Sequence, residues 1–178
     1  MPAAVSAWLA SEEAEAVDRI LDNIILENER DFIKYAPRNE YPKLSLIWKG
    51  IPAQLARDNQ KFVFSHIKTG ARARDLEDAL HWLLSAGLIY QVTRIEQPNI
   101  PLSTFAERSY FKIYLSDVGL LRRMSRFPSE ALFDSAESTA YMRGILAENF
   151  VLTELMTNKS HDAAEVCSCF GGIDLSAE

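Results

Sequence analysis

Three segments decide how this chain reads: LIWKGIPAQLARDNQ at 46–60, ARARDLEDALHWLLSAGLIYQVTRI at 71–95 and SYFKIYLSDVGLL at 109–121. In the second, Leu76, Ala79, Leu80, Leu83 and Leu84 recur at helical spacing, which predicts a helix over 73–86. Gly87 stands where a left-handed C-terminal cap is wanted. Leu88 to Ile95 is β-rich, Pro98 and Pro101 mark a turn region, and Tyr110 to Leu115 reads as a return strand. The span between the two strands is too long for a tight hairpin, so the ribbon is expected to be extended or irregular at its tip. The first segment belongs to a helical region over 43–58 with Leu44, Ile47, Trp48, Ile51, Leu55 and Ala56 as its buried stripe. Gly50 and Pro52 are expected to break it into two short pieces. Lys61 to Ile67, rich in aromatic and β-branched residues, reads as a small strand.

Helices, then a helix closed by glycine, then a two-strand ribbon is the layout of a winged helix-turn-helix. The expected fold class is therefore mainly α with a small β wing (α+β), a winged-helix core with flanking helices. Outward from that core, Val17, Ile20, Leu21, Ile24, Ile25 and Phe32 predict a helix over 12–35. Ser11 with the following acidic residues starts it and Pro37 ends it. Residues 117–124 continue as a helix, and 127–139 lack a period. Residues 143–157 form a helix that is apolar nearly all round and so expects burial on several sides. After Asn158 the pattern dissolves, and 158–178 reads as a disordered or divergent tail. The corresponding division is 1–40, 41–128, 129–157 and 158–178.

Nearly half of the residues are hydrophobic and a quarter are charged, ordinary soluble composition with enough apolar material for a core. No apolar run reaches membrane-spanning length, and the N-terminal stretch is acidic where a signal peptide would be basic. The reading is a cytoplasmic chain with no membrane partner. Cys167 and Cys169 form a C-x-C whose bland reading is two reduced thiols; with three scattered histidines a zinc site is not supported. The net charge of −6 is unevenly spread: residues 31–128 carry fifteen basic and nine acidic side chains, while both flanks are acidic.

Catalytic signatures are missing. The chain has no G-x-x-x-x-G-K-[ST], no G-x-G-x-x-G, no nucleophile elbow and no H-E-x-x-H. No catalytic residue, metal or cofactor is assigned, and the expectation is a protein without enzymatic activity of its own. A winged helix commonly lays the helix before its ribbon into the major groove. Here that helix presents Asp75, Glu77, Asp78, His81 and Ser85 outward, an acidic face that phosphates would repel. Lys68, Arg72 and Arg74 cluster before it, and Arg94, Arg108 and Lys112 could line the ribbon. These six are the candidate nucleic-acid contacts; the bland alternative is intramolecular pairing, such as Arg74 with Asp78. The partner classes left open are nucleic acid, and a second copy or another protein seated on the apolar face of 143–157.

The stretches IPAQLA, GARARDLEDALHWLLSAGLI, KIYLSDVGLL and GILAENFVLTEL resemble the domain of unknown function 4143, the C-terminal region of AAA-type ATPases. That resemblance implies a linker helix at 1–40 following an absent ATPase domain. It also implies a winged-helix part, then the opening of a PD-(D/E)XK nuclease-like part cut short. It makes Glu148 the match to a metal-site glutamate, vestigial because the remaining ligands are missing. The residues themselves place Glu148 in the first turns of its helix, solvated near the positive end. The function expected from this resemblance is a non-catalytic interaction module of an ATPase-related protein. The alternatives are a DNA-binding regulator or a nuclease remnant.

Overall fold

Periodic apolar stripes, interrupted by a few backbone punctuation points, produce seven α-helices and one β-ribbon among the described residues. The computed structural model describes residues 2–57, 61–95, 97 and 99–157. The fold class is the expected one, mainly helical with a small antiparallel sheet. The tail expectation for 158–178, including Cys167 and Cys169, lies outside the described residues.

The helix expected over 12–35 is present, and a further helix precedes it. Helix α1 (Pro2–Ser11) stops where Glu12 takes a positive φ of 54°, and α2 (Ala14–Tyr35) follows. The Ser11 hydroxyl accepts the Glu13 amide at 3.2 Å and donates to the Ala7 carbonyl at 3.0 Å. The residue read as a helix start thus serves the corner between two helices. Ala36 is extended, as a residue before proline prefers, and α2 ends there.

Helix α3 (Tyr41–Leu55) runs unbroken through Gly50 and Pro52, against expectation. Pro52 sits in the last turn, where little helix remains to be disrupted, and the Ala56 amide still reaches its carbonyl at 3.0 Å. Gly50 is a close-approach site: a Cβ there would lie 2.5 Å from Cδ1 of Ile67 in α4 (Phe64–Ile67). Only the start of the strand expected over 61–67 is extended; Phe64–Ile67 is a single helical turn. The Phe62 amide donates to the Phe111 carbonyl at 2.8 Å, adding one rung to the ribbon's outer edge. The Gln54 side chain holds this segment from the other side, donating to the Val63 carbonyl at 2.8 Å and accepting its amide at 3.3 Å.

Helix α5 (Ala73–Ser85) matches its reading closely. It ends in a Schellman turn: Gly87, at φ 69°, donates to the Leu84 carbonyl and Leu88 to that of Leu83. Strands β1 (Ile89–Ile95) and β2 (Ala106–Leu115) pair antiparallel from Ile89 with Leu115 to Ile95 with Ala106, with a register shift after Thr93. The return strand begins at Ala106, earlier than read, because the shift lets the longer arm stay paired. Helix α6 (Val118–Met124) is capped by Asp117, whose Oδ1 accepts the Leu120 amide at 3.1 Å. Helix α7 (Glu137–Thr157) starts six residues before its expected origin.

The fully buried side chains are led by Trp48, Phe32, Leu44, Ile47, Ile51, Leu83, Ile113 and Leu115. Phe32 meets Trp48 and Trp82 edge to face at 5.7 and 5.6 Å, tying α2 to α3 and α5. Leu21 of α2 and Ile145, Leu146 and Leu152 of α7 join the same buried cluster.

Candidate functional site

The core-facing side of the ribbon carries Ile89, Ile113 and Leu115 at its closed end, and these are buried. Toward the tip the same face carries Gln91 and Thr93, and here the core opens into a groove of about 740 Å³ between α5, the 61–64 segment and the ribbon. Its floor is aromatic. Phe62 stacks on Phe111 at 5.6 Å and meets Phe64 edge-on at 5.1 Å. Leu80 and Leu84 of α5 form one apolar wall, and Glu77 and His81 stand along the same helix. His81 shares a hydrogen bond of 3.3 Å with Ser85. Lys61 lines the groove and holds its ammonium 4.7 Å from the Tyr110 ring centre; the Arg94 guanidinium lies 5.0 Å from the same ring.

The six candidate nucleic-acid contacts do not form one patch. Lys68, Arg72 and Arg74 are exposed around the start of α5. Lys68 borders a second, smaller depression with Thr69, Gly70 and Asp75. Arg74 lies nearest Asp75, at 3.9 Å, and not Asp78 as read from the sequence. Asp75 is also a cap: its Oδ2 accepts the Arg72 amide at 2.9 Å, so this carboxylate stabilises the start of the helix. Arg94 is at the ribbon, over Tyr110, and the side chain of Arg108 lies outside the described residues. Lys112 is engaged by Glu148 at 3.0 Å.

That last contact also relocates Glu148. It sits in the middle of α7, eleven residues past the start, not in the first turns. Its Oε1 accepts from both Lys112 and the Tyr114 hydroxyl, the latter at 2.5 Å. Burial, then the hydrogen bond to this carboxylate and its charge, push the Tyr114 phenol well above the ordinary tyrosine range. In an alkaline absorbance titration one tyrosine is therefore expected to stay protonated until the protein unfolds; ionisation of every tyrosine near pH 10 in the folded state would contradict this. Among the described residues no three His, Cys, Asp or Glu side chains come together as a metal site.

Beside Glu148, Asn149 is fully buried and donates to the Leu115 carbonyl and accepts its amide, both at 3.0 Å. Sequence reasoning passed over Asn149 and Gln54, because a buried amide that mimics a strand has no local spacing signal. Elsewhere along α7, Tyr141, Phe150 and Val151 are exposed.

The acidic N-terminal flank meets the basic core at a Glu29–Lys49 pair, 3.5 Å apart, and at a cluster on α6. Arg122, 7% exposed, bonds Asp18 of α2 and donates to the Phe127 carbonyl at 3.0 Å. Arg123 grips Asp22 with two bonds, at 2.6 and 2.7 Å. The Arg123 hydrogen bond, with the positive charge of both arginines, outweighs desolvation and holds the Asp22 carboxyl below the usual range. Gly119 leaves room for the cap of α6: a Cβ there would lie 2.9 Å from Oδ1 of Asp117.

A family model, described as the domain of unknown function DUF8612, matches residues 1–131. The chain belongs to the DUF8612 family. This corrects the resemblance drawn from IPAQLA, KIYLSDVGLL and the other stretches, since the matching family is not domain 4143. The ATPase and nuclease-like neighbours, and the metal-site role of Glu148, were implied only by that resemblance and fall with it. The DUF8612 match contains the groove and the α2–α6 arginine clip, while α7 lies past its last matched residue. No curated protein and no solved structure matches this chain. No helix of the described residues is long and apolar enough to cross a membrane.

Proposed function

We propose that this DUF8612 chain is a non-catalytic interaction module with a winged-helix core, and that its partner at α5 and the ribbon is a protein. The element order supports the winged-helix reading: α3, the extended 61–63 segment, α4, α5, β1 and β2, with the Phe62 rung on the outer edge of β2. The observation that carries the choice of partner is the charge of the outward face of α5. Glu77 and Asp78 are exposed there, while the Asp75 carboxylate caps the helix start. A helix that reads a phosphate-lined groove wants the opposite sign. Of the basic candidates, Lys68, Arg72 and Arg74 are confined to the start of the helix, Arg94 lies over Tyr110, and Lys112 is paired with Glu148.

Fluorescence anisotropy with a labelled 20-base-pair duplex and a 20-nucleotide single strand tests this choice. The expected result is no saturable binding at about 50 mM salt. Three phosphate contacts would instead make affinity fall about 40-fold between about 50 and 200 mM salt. Binding of that kind, weakened by Arg72→Ala and Arg74→Ala, would overturn the protein-partner reading in favour of a DNA-binding regulator.

A further inference from the structure

We infer that α1 and α2 open at Glu12 and Glu13 into one straight helix, and that two copies of the chain pair these helices antiparallel, each α1 lying along the partner's α2. Little holds the corner closed. It contains neither glycine nor proline, and Glu12, Glu13 and Ala14 all favour helix. Glu12 nevertheless takes a φ of 54°, a conformation that suits glycine or asparagine and strains other side chains. Glu13 is extended and gives α2 no side-chain cap. Among the described residues, the side-chain bond across the corner is the one from the Glu13 amide to the Ser11 hydroxyl, at 3.2 Å. Beyond the corner, α1 packs mainly on α2. Ala4 is its buried residue, while Val5, Trp8 and Leu9 are 57, 48 and 77% exposed.

The straight helix identifies what covers these side chains. Val5, Leu9, Ala16 and Ile20, spaced by four, seven and four, then share one face. Two such helices, antiparallel about the point between residues 12 and 13, set Leu9 opposite the partner's Ala16 and Val5 opposite the partner's Ile20. The face is complementary to itself, as a two-fold interface requires, and a short strained hinge is what such an exchange uses. No charged residue lies within α1 to repel the partner's apolar side chains. Ala16 and Ile20 stand on the opposite side of α2 from Asp18 and Asp22, so the bonds to Arg122 and Arg123 persist. This association does not involve α5 or the ribbon, and its failure would leave the protein-partner reading above untouched.

Sedimentation equilibrium of the full chain over a broad concentration series tests the exchange, at about 0.15 M salt to screen the glutamates that meet near the two-fold axis. The wild type is expected to show a reversible monomer–dimer equilibrium. Ala14→Pro separates exchange from association through any other face. Position 14 is the first of α2, where proline is favoured, and Glu13 before it already has the extended backbone that proline demands, so the closed corner accepts it. Inside the straight helix the same proline removes a hydrogen bond and clashes with the preceding turn, which is expected to weaken the dimer by more than about 100-fold. Ser11→Ala with Glu12→Ala acts the other way. It removes the corner bond and favours helix, and is expected to strengthen the dimer; this pair decides the matter should Ala14→Pro lower the thermal transition. A wild type that stays monomeric throughout, a dimer that survives a well-folded Ala14→Pro variant, or a dimer not strengthened by the two alanines would overturn the exchange.

Discussion

Asn149→Leu is expected to lower the unfolding free energy by about 2–4 kcal/mol, as read from a urea transition followed by circular dichroism. The replacement has similar size, so the loss does not come from a cavity. It comes from the Leu115 amide and carbonyl, which Asn149 alone pairs at 3.0 Å each on the side of β2 facing α7. Leucine leaves both groups buried without partners, at about 1–3 kcal/mol each. Asn149→Asp sharpens the result, because a carboxylate can accept the amide but cannot donate to the carbonyl. It is expected to recover part of the loss at most. A change below about 1 kcal/mol for the leucine variant would mean that α7 is held by its apolar contacts, Ile145, Leu146 and Leu152, without help from the amide.

Arg122→Met together with Arg123→Ala is expected to produce the other large effect, a loss of about 2–4 kcal/mol at neutral pH. Arg122 is buried and serves two acceptors, the Asp18 carboxylate and the Phe127 carbonyl. Removing both arginines leaves Asp18 and Asp22 without partners on α2 and frees α6 from it. Asp22 is nearly half exposed, so water screens much of its share, and most of the loss belongs to Arg122. The pH dependence has a definite direction. The folded Asp22 carboxyl titrates below its unfolded value, so its contribution is complete above the unfolded carboxylate range near pH 4 and disappears as pH falls through the folded value. The wild type is therefore expected to lose stability more steeply than the double variant as pH falls below about 4. Parallel acid limbs would show that the pair contributes nothing by linkage.

How much of this could be read beforehand depends on the range of the interaction. Helix α5 was legible almost to the residue, because its stripe is periodic and Gly87 supplies the one conformation its C-terminal turn requires. The ribbon was legible in kind, though not in register, since the shift after Thr93 is decided across strands. Gly50 misled because glycine has two meanings. Locally it weakens a helix, but here the missing Cβ makes room for Ile67, a contact seventeen residues away. Asp75 misled in the opposite sense, counted as a repulsive surface charge when it caps the start of its own helix. The pairing of Lys112 with Glu148 and the two hydrogen bonds of Asn149 to Leu115 span more than thirty residues and leave no pattern along the chain. The groove was likewise invisible as a unit. Its aromatic residues, Phe62, Phe64 and Phe111, read as separate strand formers until the Phe62 rung brought them to one floor.

In the proposed function, the acidic outward face of α5 serves a protein partner and keeps nucleic acid away. The most direct measurement compares duplex binding by the wild type and by Glu77→Lys/Asp78→Lys at about 50 mM salt, by anisotropy under identical conditions. No saturable binding is expected for the wild type, and salt-sensitive binding for the double variant, whose four added units of charge join Lys68, Arg72 and Arg74 at the same helix. Tight, salt-sensitive binding by the wild type, unchanged by the two lysines, would contradict it.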